Sequence, residues 1–234
     1  MNRGSFFKQV FSSFKEMIVQ QPAADKPGPA AALPAETGFT DGLTAMETAY
    51  CHKAGLPVET GLLLKSLTRR PVEKLVFEDY DTETTKPSGI CSVTTDETAR
   101  AIVFRHRDEL LLQNQYIFLH EILEQGYRVG ILGATTDPYE IIRLTETHGA
   151  NHGIMTGDII KKLKKWDAGF GIRLFGIGFN FCECEIINKD IDYMALAEEI
   201  YPFCPDVVDQ GTTTTTADLA EEIKRTGCIF LWWD

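Results

Sequence analysis

Long apolar runs are missing from this 234-residue chain. None approaches the roughly 20 consecutive residues that span a bilayer, which excludes a transmembrane helix. Positive charge is also scarce. With 23 Lys and Arg against 34 Asp and Glu, the net charge is −11 and the pI about 5.0, whereas a general nucleic-acid binder needs a basic face. A soluble protein, or one with a basic partner, is expected instead. The six cysteines lie at 51, 91, 182, 184, 204 and 228. With no secretory pattern ahead of them they read as reduced, mostly buried thiols, and the setting as cytoplasmic.

Cofactor and nucleotide fingerprints are lacking too. Gly169 and Gly171, or Gly176 and Gly178, could begin a dinucleotide-binding loop, but the third glycine would fall at Leu174 or Phe181. These glycines read as turns or bulges. No Gly-Lys-Ser/Thr occurs, and His120-Glu121 has Glu124 where a zinc-protease motif needs its second histidine. No cofactor or metal is expected.

What is present divides the chain. In residues 1–20, Phe6, Phe7, Val10, Phe11, Phe14, Met17 and Ile18 recur at spacings of three and four, the pattern of an amphipathic helix. It could dock on a membrane face or a partner. Residues 21–40, with Pro22, Pro27, Pro29 and Pro34 among alanines, read as a semi-rigid linker. Both should be dispensable for folding, since such a linker buries little. Residues 41–234 are expected to form a single compact α+β domain with a mixed, mainly antiparallel sheet and packed helices.

Helices are expected near 43–53, 96–111, 192–201 and from Thr215 or Thr216 to Gly227. Two more should start at Asp137, where Glu140 would complete a capping box, and at Thr156 as cap. Strands are expected at 74–77 before the acidic stretch 78–83, then at 116–119, 127–132, 172–177, 181–187 and 228–233. Helix continuing through Glu124 competes with the hairpin.

The polar residues that fall outside the core pattern lie in three segments, 147–152, 204–211 and 231–234. They supply the candidate ligand or partner surface: Asn151, His152, Asp206, Asp209, Gln210 and Asp234, with Trp166, Trp232 and Trp233 as aromatic companions. Asp206 and Asp209 could serve as an acid/base pair or cation ligands, with Asp234 adding carboxylate. The structural alternative makes them turn and cap residues and the tryptophans packing anchors. Trp232 and Trp233, adjacent on a strand, must face opposite sides, so at most one can enter the main core. Cys182 and Cys184 point to one face, compatible with zinc or, better, with a core layer. Lys161, Lys162, Lys164 and Lys165 read as a solvated helix face, and Thr212–Thr216 as a loop ending in a cap.

Several of these segments resemble the bacterial family called domain of unknown function 4253: Tyr139–Arg143, Thr147–Asn151, Asp158–Ile160 with Leu163 and Trp166-Asp167, Tyr201–Gly211, and the closing Leu231-Trp232-Trp233-Asp234. The resemblance spans about 137–234. It departs at Asn180-Phe181-Cys182-Glu183, where the family pattern has Asp-Trp-Val-Glu, and at His152, where a Tyr is frequent. Cys182 in place of an apolar residue supports core over zinc. Asn180 in place of Asp argues against a base there, because an amide is not one. The resemblance implies a domain boundary and a candidate surface, and no reaction. Without a complete catalytic constellation, the chain leans away from an enzyme and towards an adaptor or immunity-like interaction module. The alternative is a small-molecule-binding or hydrolytic domain using the Asn/His/Asp/Gln cluster.

Overall fold

A computed structural model describes residues 40–77, 88–124 and 126–234. The expected N-terminal helix, all of the linker but Thr40, and the acidic stretch 78–83 lie outside these residues. The fold is α+β, and the chain groups into two compact units that divide between Thr145 and Glu146.

In the first unit, α1 (Ala45–Lys53) starts with a full capping box: the Thr44 side chain accepts from Glu47 N–H, and Glu47 accepts from Thr44 N–H. Helix α2 (Val58–Thr68) ends at Arg69 in the left-handed conformation, with φ 56°. Strands β1 (Glu73–Leu75) and β2 (Gly89–Thr94) precede α3 (Asp96–Leu112), which Thr95 caps. Strands β3 (Tyr116–Leu123) and β4 (Gly126–Leu132) form a hairpin, and α4 (Pro138–Thr145) follows. The strand order is β1-β2-β4-β3, all antiparallel. The helical option through Glu124 is thereby excluded, because Ile122 and Leu123 pair with Tyr127 and Gly126. Gly126 permits the turn: its φ is 142°, and a Cβ there would lie 2.0 Å from Thr94 O.

Two helix starts differ from expectation. The Asp137 carboxylate does accept from Tyr139 N–H, but Asp137 N–H donates to Thr135 Oγ1 while Glu140 pairs with Arg143. Thr156 is the first helical residue and not a cap, since Asp158 reaches back to Met155 N–H.

The second unit holds α5 (Thr156–Phe170), β5 (Ile172–Ile177), β6 (Phe181–Ile186), α6 (Tyr193–Ile200), a single turn α7 (Asp206–Asp209), α8 (Thr216–Thr226) and β7 (Cys228–Trp232). The expected order is met, with α7 added. Strands run β5-β6-β7, antiparallel throughout. Asp192 caps α6, Thr215 caps α8, and Gly227 at φ 67° ends α8. Helices α6 and α8 pack together, burying Leu196, Ile200, Leu219 and Ile223. Gly176 stands at a register shift in β5, with Glu183 Cβ 2.8 Å from where its own Cβ would be. It is thus a bulge glycine and not part of a phosphate loop.

Candidate functional site

The cluster is built where three segments of the second unit meet. The first is a loop pinned by a bridge between Gly149 and Ile154, with N–H to C=O bonds of 2.8 and 3.1 Å. Within it a 3-10 turn, Ala150–His152, closes through Gly153 in the left-handed region, φ 70°. This turn presents Asn151 and His152 outward. The second segment is α7. Pro205, with φ −65°, leads into it and leaves Asp206 as its first residue. The third is the end of β7.

At their meeting point Asp206 is 3% exposed, and its carboxylate is engaged on both oxygens. Oδ2 lies 2.8 Å from His152 Nε2 and accepts from Asp234 N–H at 2.9 Å, while Oδ1 accepts from the Gln210 side-chain amide at 2.9 Å. Asp206 and Gln210 stand four apart, so one helical turn aligns them. A carboxylate only accepts, which makes Nε2 of His152 the protonated ring nitrogen. The His152 side chain is 31% exposed, and its Nδ1 has no bond among the described residues. Asn151 Nδ2 donates to Asp234 O. Residue 234 is thus held at its N–H by Asp206 and at its C=O by Asn151.

The same end is fastened further. Trp233 N–H donates to Asn180 O at 2.9 Å, and Asn180 Nδ2 donates to Trp233 O at 2.8 Å. An aspartate at 180 could not make the second bond, so the amide at this position has a structural role. Trp233 is 1% exposed. Its Nε1–H donates to Phe203 O at 3.1 Å, its ring meets Phe203 edge-on at 5.8 Å, and a Cβ on Gly149 would lie 2.5 Å from it. Both tryptophans are therefore buried: Trp232 in the strand, and Trp233 under the Gly149 loop and Phe203. The expectation that at most one of them enters the core is thus overturned: Trp233 lies one residue past the strand, where the Gly149 loop and Phe203 cover it. Cys204 completes the fastening. Its thiol donates to Trp232 O at 3.0 Å and accepts from Trp232 N–H at 3.2 Å.

The structure thus joins Asn151, His152, Asp206, Gln210 and Asp234 in one network, with Trp232 and Trp233 beneath. Asp209 and Trp166 are not in it. Asp209 is exposed and accepts from Tyr201 O–H at 3.1 Å, which raises the Tyr201 pKa. Trp166 is buried in the core, so it offers no open surface. Asn180, Phe203, Cys204 and Gly149 carry the arrangement without having been picked as site residues; Gly149, Phe203 and Cys204 lie in the resembling stretches, and Asn180 at a departure from them.

The remaining candidates are accounted for by packing. None of the six cysteines forms a disulfide, and all are buried. Burial pushes the Cys182, Cys184 and Cys204 thiols well up, and Cys91 to about 11, so none of these four is poised as a nucleophile. Lys162 and Lys165 both bond Glu199, at 3.1 and 2.8 Å. Burial raises the Glu199 pKa, but the two lysines outweigh it and leave that carboxyl lowered. In the threonine run Thr213 O–H donates to Val207 O, and Thr214 and Thr215 hold Asp218, lowering its pKa. A cavity of about 10 Å³ between Val207, Thr212, Ile223 and Phe230 has room for one water and no substrate. Among the described residues, no group of three or more His, Cys, Asp or Glu is placed to hold a metal ion, and no helix is long and apolar enough to cross a membrane.

Comparison with known proteins agrees with the resemblance. Residues 129–234 match the model of a family described as a domain of unknown function (DUF4253). The match begins at Val129, somewhat before the expected start at Asp137, and takes in the whole network. No curated protein and no solved structure matches the chain.

Proposed function

We propose that the second unit is a non-enzymatic protein-interaction module of the adaptor or immunity-like kind, working in the cytoplasm against a basic partner. The observation that carries this reading is the direction of the Asp206 network. A catalytic carboxylate needs a lone pair or a proton aimed at substrate, yet Asp206 is 3% exposed and three of its roughly four acceptor sites are filled by His152, Gln210 and the main chain of Asp234. The network fastens the end of β7 and leaves an outer surface of exposed loops. Charge agrees. Residues 146–234 carry 15 Asp and Glu against 8 Lys and Arg, so 8 − 15 = −7. Buried cysteines without disulfides suit a reducing compartment.

Native mass spectrometry of the protein gently purified from its own cells, repeated after denaturation, tests the reading. The expected mass excess is that of a protein whose capture weakens steeply above ~0.15 M salt, where the Debye length falls below ~8 Å. A small-molecule excess lost on unfolding would overturn it.

A second reading, a hydrolytic or small-molecule site, rests on one observation. Asp206 holds His152 by Nε2 and leaves Nδ1 unengaged at a partly exposed ring, the way a carboxylate orients a general base. Loss of a small-molecule mass excess in His152→Ala would favour it.

A further inference from the structure

We infer that the second unit receives an arginine-bearing segment of its partner at Phe179, with one guanidinium stacked on the open face of that ring and its N–H groups turned to the carboxylates beside it. The inference rests on the proposed function and names the contact through which it acts.

Phe179 is 56% exposed at the tip of the β5–β6 hairpin, yet the backbone beneath it is fixed. Phe179 O accepts from His148 N–H and Gly178 N–H donates to Phe181 O, both at 3.0 Å, and Gly178 O accepts from the Thr147 hydroxyl at 2.8 Å. Asn180 is tied to Trp233 through its C=O and its side-chain amide. A ring held out on so constrained a turn loses little freedom on being covered. The His148 ring meets it edge-on, at 4.5 Å and 75°, which leaves at least one face of the phenylalanine open. Met155 follows Ile154, whose bridge to Gly149 sets it opposite His148. It is also 56% exposed, and its flexible thioether suits the methylene stem of an arginine. Charge selects the occupant. Asp158, whose Oδ2 accepts from Met155 N–H at 3.1 Å, is exposed, as is Asp234, which Asn151 and Asp206 hold beside the same loop. The segments that build this end, 146–160, 174–188 and 226–234, contain no Lys or Arg. A cation is thus the complement this surface lacks. A guanidinium fits it better than an ammonium, because it stacks on an aromatic face and still offers a fork of N–H donors to carboxylates.

Labelled Arg-Gly and Lys-Gly repeat peptides of equal length, titrated with the full chain and read by fluorescence anisotropy, test this. The two carry the same charge, so their difference isolates the stacking. Arg-Gly should bind wild type about fivefold tighter than Lys-Gly, a comparison that needs no variant to fold. Phe179→Ser should weaken Arg-Gly about tenfold, the loss of an anchor, while Phe179→Tyr, which keeps the ring, should stay within about twofold. Asp158→Asn should weaken it about threefold. Glu221→Gln, the same change of charge at an exposed position of α8, should leave it unchanged. Equal affinity of the two peptides, or binding of neither, would overturn the inference. So would Arg-Gly binding that survives Phe179→Ser, or that Glu221→Gln weakens as much as Asp158→Asn, since the contact would then be diffuse charge. A wild type that dimerises where Phe179→Ser does not would give the ring to a second copy and overturn it as well. None of these outcomes bears on the proposed function, which falls instead to a small-molecule mass excess in the native measurement.

Discussion

Glu47 in the first unit and Asp206 in the second are both buried carboxylates, and they are compensated differently. Glu47, in the first, is met by a full charge: Lys65 Nζ lies 2.8 Å away, with both side chains buried, and Val72 N–H and Thr44 N–H add bonds of 2.9 and 2.7 Å. Lys65 also donates to Gly42 O at 2.9 Å. This is a closed strut tying α1 to α2 and to the chain entering β1. Asp206, in the second unit, is compensated by a partly exposed imidazole, an amide and one main-chain N–H. Its network begins in the core and ends at the surface. An ion pair sealed on every side acts only within the fold. A carboxylate wired to an exposed loop also sets the shape of the surface that loop presents.

Breaking the strut should produce the largest effect. Lys65→Met strands the Glu47 charge in the interior, and loss of one partner of a buried pair costs about 3–5 kcal/mol. Urea unfolding followed at the first unit should register it, with the second unit unchanged. Next is Gly149→Ala, whose Cβ would meet the Trp233 ring at 2.5 Å. Overpacking of that kind costs about 1–3 kcal/mol, and the accompanying change in tryptophan fluorescence should show Trp233 displaced. Asn180→Asp removes the donor to Trp233 O and places two acceptors face to face. A loss of about 1–2 kcal/mol is expected, read from the midpoint of the second unit.

The comparison is sharpened by acid. Burial raises the Glu47 pKa, but bonds from Lys65, Thr44 and Val72 outweigh it, so the folded value lies below the ordinary 4.5. A depressed folded pKa contributes stability that is fully present above the unfolded value and is lost as pH falls through the folded one. Stability of the first unit should therefore be flat in this respect above about pH 5 and fall below 4.5. Glu47→Gln should be less stable at neutral pH and should lack that acid-dependent step.

How much of this could be read from sequence depended on whether a feature was local. Caps and periodic faces were legible: Thr215 before α8, Gly227 after it, and Leu219 and Ile223 inward. Helix α2 and strand β2 were not expected. Val58–Thr68 gathers three of its five apolar residues in the consecutive run Leu62–Leu64 and shows no sharp stripe, and Gly89–Thr94 is buried along almost its whole length, so neither shows the periodicity that marks a half-buried element. In the cluster, the residue types of Asn151, His152, Asp206, Gln210 and Asp234 stood out because polar residues interrupt apolar segments. Their joining did not, since His152 and Asp206 are 54 positions apart. Nor did Cys204, whose thiol completes a strand edge through bonds that no spacing encodes.

The central claim is that Asp206 acts as an internal fastening, and substituting it is the most direct test. Asp206→Asn/Asp209→Asn should unfold at markedly lower urea than wild type, by about 2–3 kcal/mol, because three donors would face an amide that can satisfy only part of them. Asp209→Asn alone should barely move the midpoint, as Asp209 is exposed and bonds only Tyr201. A double variant as stable as wild type would contradict the account, and would return Asp206 to the role of a site residue held ready for a ligand.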